Sequence, residues 1–424
     1  MAGAGALAYV FGGGRRPRRV RGERQRVDSP SSVPAWVRAE PARLLGFAGG
    51  AAHPGDPGFA WLDDAGRPVL DRPVETWITC RMTHVFALAA LQGADTGEQV
   101  AHGVAALTGP LRDAEHGGWY ASTALTDKRA YEHAFVVLAA ASAAAAGAEG
   151  ARPLLAEALE TVERRFWEPG AGLVADVWDR GWTSLEDYRG ANANMHTVEA
   201  FLAAADVTGD PVWAARALSI VERLIHGEAR AHGWLLPEHY DAGWRVRPEF
   251  NRDEPADPFR PYGATIGHLF EWARLAVHLG RALGDAAPAW LVPDAAALFE
   301  AGVRYGWTVD GRPGFVYTTD FAGTPVVRTR LHWVVTEAMA AAWTLHRETG
   351  DPAYLARFEE WCAHAETCFV DRELGSWHHE LDPENRPAAT VWSGKPDVYH
   401  AYQATLLPSL PPAASFAGAL LPRG

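Results

Sequence analysis

The feature that most constrains this chain is a six-fold recurrence. Six apolar helix candidates follow one another: "TWITCRMTHVFALAALQG", "RAYEHAFVVLAAASAAAAG", "NANMHTVEAFLAAADVTG", "GATIGHLFEWARLAVHLG", "RLHWVVTEAMAAAWTLHRETG" and "KPDVYHAYQATLLPSL". Each is rich in Ala, Leu and Val, nearly all end at a Gly or Pro breaker, and each carries one histidine near its start. Those histidines are His84, His133, His196, His268, His332 and His400. A repeat of this length is the mark of a stacked or circular architecture, because one unit cannot bury its own apolar face.

Between the apolar runs lie more charged, amphipathic helices such as "DPVWAARALSIVERLIHG" and "DPAYLARFEEWCAHAETCF", with "VPAWVRAEPARLLGF" supplying the sixth. Each is followed by a Gly/Trp-rich stretch such as "HGGWYAS" or "GSWHHELDPENRP", which reads as short strands and turns. The alternation predicts an all-α fold, an (α/α)6 barrel: a toroid of six inner and six outer helices, with short β-hairpins and loops at the mouth. Alternation also makes the inner helices parallel. Their N-termini then share one mouth, and six histidines are expected at similar depth around one cavity. Residues 33–424 are expected to form this single (α/α)6-barrel domain, and residues 1–32 a disordered basic N-terminal extension.

Charge narrows the partners. The first 26 residues hold seven Arg and one Glu, a balance of +6; with a net charge of −13, the remainder carries −19. An acidic body of that kind repels nucleic acid and anionic membranes. No apolar run approaches the roughly 18 residues of a membrane span. The N-terminal apolar piece precedes its arginines, the reverse of a secretory signal. Three cysteines, Cys80, Cys362 and Cys368, form neither a metal-ligand spacing nor a disulfide framework, which suits a reducing cytoplasm. The sequence leaves the oligomeric state open, a homo-oligomer included.

The inner helices carry polar stripes at helical spacing. Trp77, Arg81 and His84 stand at i, i+4, i+7, and Asn192, His196 and Glu199 repeat that pattern. His268 with Glu271, and His400 with Gln403, repeat its second half. A carboxylate one turn from a histidine can accept the ring N–H and fix the tautomer. An unpaired charge on a buried helix is costly, so Glu199 and Glu271 are expected to be paired with their histidines. His133 and His332 stand open between substrate contact and support. Among 18 tryptophans, Trp77, Trp119, Trp244, Trp333, Trp377 and Trp392 precede or flank the mouth. Aromatic faces beside polar groups suit a sugar; aromatics filling a wide toroid are the plain alternative. Only two of 39 basic residues are Lys. Lys395, five residues before His400, is expected where a compact ammonium serves better than a planar fork; Lys128 is expected to be incidental. No H-x-x-x-H occurs on the inner helices and no metal centre is expected, although ligands could converge from different helices. There is no Gly-rich phosphate loop and no G-x-S-x-G elbow, and no cofactor is expected.

Taken together, "RMTHVFALA", "GGWYAS", "YEHAFVVLAAAS", "ANANMHTVEAFLA", "GHLFEWARL" and "WSGKPDVYHAYQ" resemble the N-acylglucosamine 2-epimerase superfamily, and most closely its mannose isomerase and sulfoquinovose isomerase branch. The resemblance covers about residues 33 to 410 and implies the same (α/α)6 barrel. It implies a metal-independent interconversion of an aldose with its ketose or C2 epimer. It assigns His268 and His400 as the acid/base pair, and Arg81, Asn192, His196, Glu271 and Trp333 as sugar-contacting or supporting positions. Within the matching segments Tyr131 and Trp392 are expected at the sugar, and His196 is given a part in opening the ring. The resulting expectation is a cytoplasmic isomerase of the D-mannose to D-fructose type, working through a cis-enediolate on a monosaccharide. Its catalytic residues would be His268, His400, His196 and Arg81. Substrate-binding residues would be Trp77, His84, Tyr131, Asn192, Glu199, Glu271, His332, Trp333, Trp392, Lys395 and Gln403. The rivals are a sulfoquinovose isomerase, a cellobiose or N-acylglucosamine 2-epimerase, and a non-catalytic sugar-binding protein. A glycoside hydrolase would instead use paired carboxylates drawn from Asp187, Glu238, Asp253 and Asp257.

Overall fold

A computed structural model describes residues 33–55 and 57–422. The basic extension expected at residues 1–32 lies outside the described residues. Among the described residues thirteen α-helices follow in order: α1 (Ala35–Ala48), α2 (Thr76–Leu91), α3 (Gly97–Thr108), α4 (Ala130–Ala145), α5 (Ala151–Thr161), α6 (Ala191–Thr208), α7 (Pro211–Val221), α8 (Ile266–Leu283), α9 (Leu291–Gly306), α10 (His332–Thr349), α11 (Pro352–Cys368), α12 (Tyr399–Leu406) and α13 (Phe416–Leu420).

The apolar helices form the inner ring. Helices α2, α4, α6, α8, α10 and α12 each touch the next, and α12 touches α2 to close the circle. Their burial explains why. Every residue of α2 from Thr76 to Ala89 is buried, as a helix with neighbours on all sides must be. The outer helices bury one face only. In α7 that face is Trp213, Ala214, Ala217, Ile220 and Val221, at helical spacing. Helix α1 packs on α12, so the first outer helix seals the last inner one. The expected (α/α)6 toroid is the fold.

Local chemistry sets where each helix starts and stops. The sequence Thr-Gly-Asp-Pro occurs at 208–211 and 349–352. In both copies the Gly, at φ 72° and 75°, ends an inner helix in the left-handed region. The Asp then caps the next outer helix, accepting N–H from Val212 at 3.0 Å and from Ala353 at 2.9 Å, with Pro in the first turn. At the other end, two-residue antiparallel ladders pin the helix starts. Lys128–Arg129 pairs with Val177–Trp178, Arg189–Gly190 with His239–Tyr240, Ala264–Thr265 with Thr318–Thr319, and Arg330–Leu331 with Glu380–Leu381. Each ladder ties the entry of an inner helix to the segment after the following outer helix. The helix starts are thereby gathered on one rim. Helix α13 packs on α2, α4 and α6, and Ser415 donates to Asp206 near the end of α6 at 2.6 Å, so this segment covers the opposite end of the ring.

Candidate active site

The inner-helix N-termini surround a cavity that opens to solvent, with about 630 Å³ of space when its mouth is included. Helix α2 contributes Trp77 and Arg81, α4 Tyr131, α6 Asn192 and His196, and α8 His268 and Glu271. Helix α10 contributes His332 and Trp333, α12 contributes His400, and Trp392 lines the wall before it.

His268 and His400 face this cavity with the same equipment. Nδ1 of His268 lies 2.9 Å from Glu238 Oε1, and Nδ1 of His400 lies 2.9 Å from Glu337 Oε1. Each carboxylate accepts the Nδ1 proton, which leaves the lone pair on Nε2. Trp333 stands between the two imidazoles, its ring centroid 5.3 Å from His268 and 5.9 Å from His400. Gly267 leaves room for this ring: a Cβ there would meet Trp333 at 2.1 Å. Burial drives the His400 pKa well below its ordinary value, with the Arg81 charge adding to the effect. Burial likewise lowers His196 and His332 to about 4. These rings are neutral at pH 7.

Arg81 is fixed from three sides. It lies 3.3 Å from Asp397 Oδ2, donates to the Tyr131 hydroxyl at 3.1 Å, and sits over the rings of Trp77, Phe135 and Tyr399. At the cavity floor, Glu271 joins Glu199 and Glu337 from below around Arg274. Its guanidinium is 3.1 Å from Glu337, 3.4 Å from Glu271 and 3.9 Å from Glu199. Burial and the neighbouring Glu337 hold the Glu271 carboxyl well above the usual range. Two sets of three side chains bring ligating atoms within 4.8 Å of one another: His196–Glu199–Glu271 and Glu271–Glu337–His400. Both share Glu271. Arg274 already supplies positive charge to all three carboxylates, and His400 Nδ1 is taken by Glu337.

The sequence profile of the N-acylglucosamine 2-epimerase (GlcNAc 2-epimerase) family matches residues 58–404. The chain belongs to this family. It is 55% identical over 394 residues to a D-mannose isomerase of Thermobifida fusca, covering 91% of this chain and 96% of that protein. It is 51% identical over 394 residues to a D-mannose isomerase of Pseudomonas cannabina pv. alisalensis, covering 91% and 94%. Among solved structures, a D-mannose isomerase superposes with a TM-score of 0.83 at 26% identity, over 90% of this chain and 99% of that one. A cellobiose 2-epimerase from Spirochaeta thermophila reaches 0.74 at 21% identity, over 88% and 94%, a likeness of fold alone.

Four of the expected substrate-binding residues do not line the cavity. His84 lies beneath it, its ring nitrogens on Ser142 Oγ at 2.7 Å and Gln403 Nε2 at 3.1 Å. Glu199 and Gln403 belong to the same lower layer, joined at 3.1 Å. Lys395 is a staple. Its Nζ lies 2.6 Å from Asp371 Oδ2 and 2.7 Å from the Gly375 carbonyl, fully buried. Lys128, expected to be incidental, is its twin. It pairs with Asp113 at 3.0 Å and donates to the Gly117 carbonyl. Both turns carry Asp-x-Glu-x-Gly-x-Trp, at 113–119 and 371–377. Such a turn offers two oxygens to one compact ammonium, which explains the retained lysines.

The ring of six histidines is a ring of four. His133 also leaves it: its Nδ1 donates to the Arg129 carbonyl at 2.7 Å, and its Nε2 accepts from Trp119 N–H at 3.1 Å. Trp119, Trp244 and Trp377 are buried packing residues outside the cavity. The pairings expected within single helices also differ. The carboxylate on His268 is Glu238, not Glu271, and His400 meets Glu337, not Gln403. Side chains three residues apart on one helix share a face, but a histidine aimed into a cavity turns its Nδ1 toward the neighbouring element. Glu238 appeared only as a hydrolase candidate. Of the others, Asp187 and Asp253 are exposed, and Asp257 caps the N–H groups of Phe259 and Arg260. Sequence reasoning missed Glu337, Asp397 and His379. The ring of His379 stacks on His332 at 3.8 Å. Glu337 was findable as a lone carboxylate on an apolar helix, the argument already applied to Glu199.

Proposed function

We propose that this chain is a cofactor-free aldose–ketose isomerase converting D-mannose-type aldoses to D-fructose-type ketoses. The carrying observation is the matched pair His268–Glu238 and His400–Glu337, facing one cavity across Trp333 from helices α8 and α12. Relatives at 51–55% identity named D-mannose isomerase support the same reading.

The reaction moves two protons, one from C2 to C1 and one from O2 to O1. In the open-chain aldose a neutral imidazole removes the proton on C2, giving a cis-enediolate, and returns it to C1. The O2 hydroxyl loses its proton as the C2 carbonyl forms, and O1 gains one. Arg81, held by Asp397 and Tyr131, stabilises the oxygen that becomes negative. His196 serves ring opening. Trp77, Trp333 and Trp392 offer faces to the sugar C–H groups. Among the described residues Arg81 is the one Lys or Arg lining the cavity, and Asp397 already balances it. A neutral hexose therefore suits the site better than a sulfonated one. Three free cysteines, two of them buried, favour a reducing cytoplasm.

The test is D-mannose in D₂O followed by NMR. Fructose labelled at C1 is the expected product. Glucose labelled at C2 would make the chain a 2-epimerase, and binding without exchange would make it a sugar-binding protein. EDTA should leave turnover unchanged; a loss restored by one divalent ion would end the cofactor-free reading.

A further inference from the structure

Beneath the cavity floor, polar side chains from α2, α4, α6 and α12 form one line that the reaction as written does not use. Ser142 Oγ lies 2.9 Å from the Leu138 carbonyl, His84 Nδ1 lies 2.7 Å from Ser142 Oγ, and Gln403 Nε2 lies 3.1 Å from both His84 Nε2 and Glu199 Oε1. The Tyr399 hydroxyl donates to the other oxygen of Glu199. That oxygen lies 3.7 Å from Nδ1 of His196, a buried atom with no hydrogen-bond partner.

The direction of every proton on this line follows from its two ends. An ionised carboxylate only accepts, so the Gln403 amide turns its NH₂ to Glu199. The reverse orientation would press Oε1 against the carboxylate; the observed one leaves Oε1 without a partner. The second amide proton then goes to His84 Nε2, which must carry the lone pair. The His84 proton is therefore on Nδ1 and goes to Ser142, whose own proton goes to Leu138. No link can reverse unless the whole line reverses.

We propose that His84 and Gln403 are positioning residues that set the tautomer of His196. They hold Glu199 as an ionised acceptor, which keeps the His196 proton on Nδ1 and leaves Nε2 as the lone-pair base toward the sugar. The use of that base in isomerisation rests on the function proposed above; the tautomer does not. Burial pushes the Glu199 carboxyl up, but His196, Arg274 and Tyr399 outweigh it and hold it well below the usual range. Burial brings His84 to about 4, so its ring is neutral and can accept. The competitor is Glu271, whose Oε1 lies 3.8 Å from the same His196 nitrogen. A protonated Glu271 would donate to Nδ1 and drive the ring proton to Nε2. The line from Leu138 to Glu199 biases that contest. It also accounts for a histidine that shares the sequence pattern of the others yet never reaches the cavity.

The experiment is ¹⁵N NMR of histidine-labelled resting enzyme at neutral pH, with the His196 signals identified by their loss in His196→Asn. The wild type should show protonated Nδ1 and unprotonated Nε2. In Gln403→Met and His84→Phe the Nε2–H tautomer should appear, and kcat on D-mannose should fall roughly 10- to 100-fold, as when the outer hydrogen-bond partners of metal-ligating histidines are lost, with KM little changed. His84→Gln, whose amide oxygen can accept the same bond, should restore both. A wild-type ring protonated on Nε2 overturns the proposal without any variant. So does an unchanged tautomer in both substituted proteins once circular dichroism shows them folded. If the wild type turns over no hexose, the isomerase reading fails while the tautomer result stands by itself.

Discussion

Two sides of the inner ring use the same residue in opposite ways. On α8 and α12, His268 and His400 spend Nδ1 on a carboxylate and keep Nε2 for the cavity. On α2 and α4, His84 and His133 spend both ring nitrogens on the protein. Depth explains the first of these. His84 is the ninth residue of α2, whereas His268 is the third of α8 and His400 the second of α12. Six or seven further residues at about 1.5 Å each lower the side chain by about 10 Å, below the cavity floor. Arg81, the sixth residue of α2, takes the height that His196, the sixth of α6, has on its own helix. Direction explains the second. His133 is the fourth residue of α4 but points to the loop at Trp119. Position within a helix sets height; the angle around the axis sets whether a group meets substrate or scaffold.

The sharpest way to break this comparison is to truncate one histidine from each side. His268→Ala and His400→Ala should each lower turnover by about 10²- to 10⁴-fold, the scale of general acid–base catalysis. The double variant should be little worse, as for groups acting as a unit. Their melting temperatures should stay near wild type, because water can fill the space each side chain leaves in the cavity. His133→Ala should do the reverse, lowering the melting temperature while the folded fraction keeps its kcat. Retained turnover in either cavity variant would return these histidines to a structural role.

Arg81→Lys comes next. It keeps charge but loses the fork that meets Asp397 and Tyr131 together. Turnover should fall about 10- to 1,000-fold, as when one oxyanion donor is lost. Near-wild-type kinetics would remove Arg81 from the chemistry. The staples give a further contrast. Lys395→Met leaves Asp371 buried without its ammonium, and breaking such a pair costs about 3–5 kcal/mol. Urea unfolding should record that loss with KM unchanged, and Lys128→Met should lose less, because Arg180 still pairs with Asp113 at 3.1 Å.

A last contrast is in the response to pH. Burial holds His84, His196 and His332 at about 4 and His133 at about 3, against 6.5 for the exposed ring. The unfolded chain therefore binds protons that the folded chain refuses between about pH 6.5 and 4. Stability should fall as pH drops through that window and be flat in this contribution above it. A melting temperature that is constant from pH 7 to 4.5 would mean these rings titrate normally.

The apolar runs, their Gly and Pro stops and their repetition were enough to specify the toroid, because a helix apolar all round must be surrounded and six of them close a ring. The same pattern placed Arg81, Asn192, His196, His268, His332 and His400 near helix starts, and all six line the cavity. Helical spacing on one strip of sequence carried no information about Glu238 and Glu337. They reach His268 and His400 from 30 and 63 residues away. Nor could it tell Lys395 at a turn from Lys395 at a sugar, since both need a compact ammonium. Those decisions belong to the packing of one helix against the next. A ring nitrogen takes whichever donor or acceptor the neighbouring element presents, and only the closed ring of helices determines which element that is.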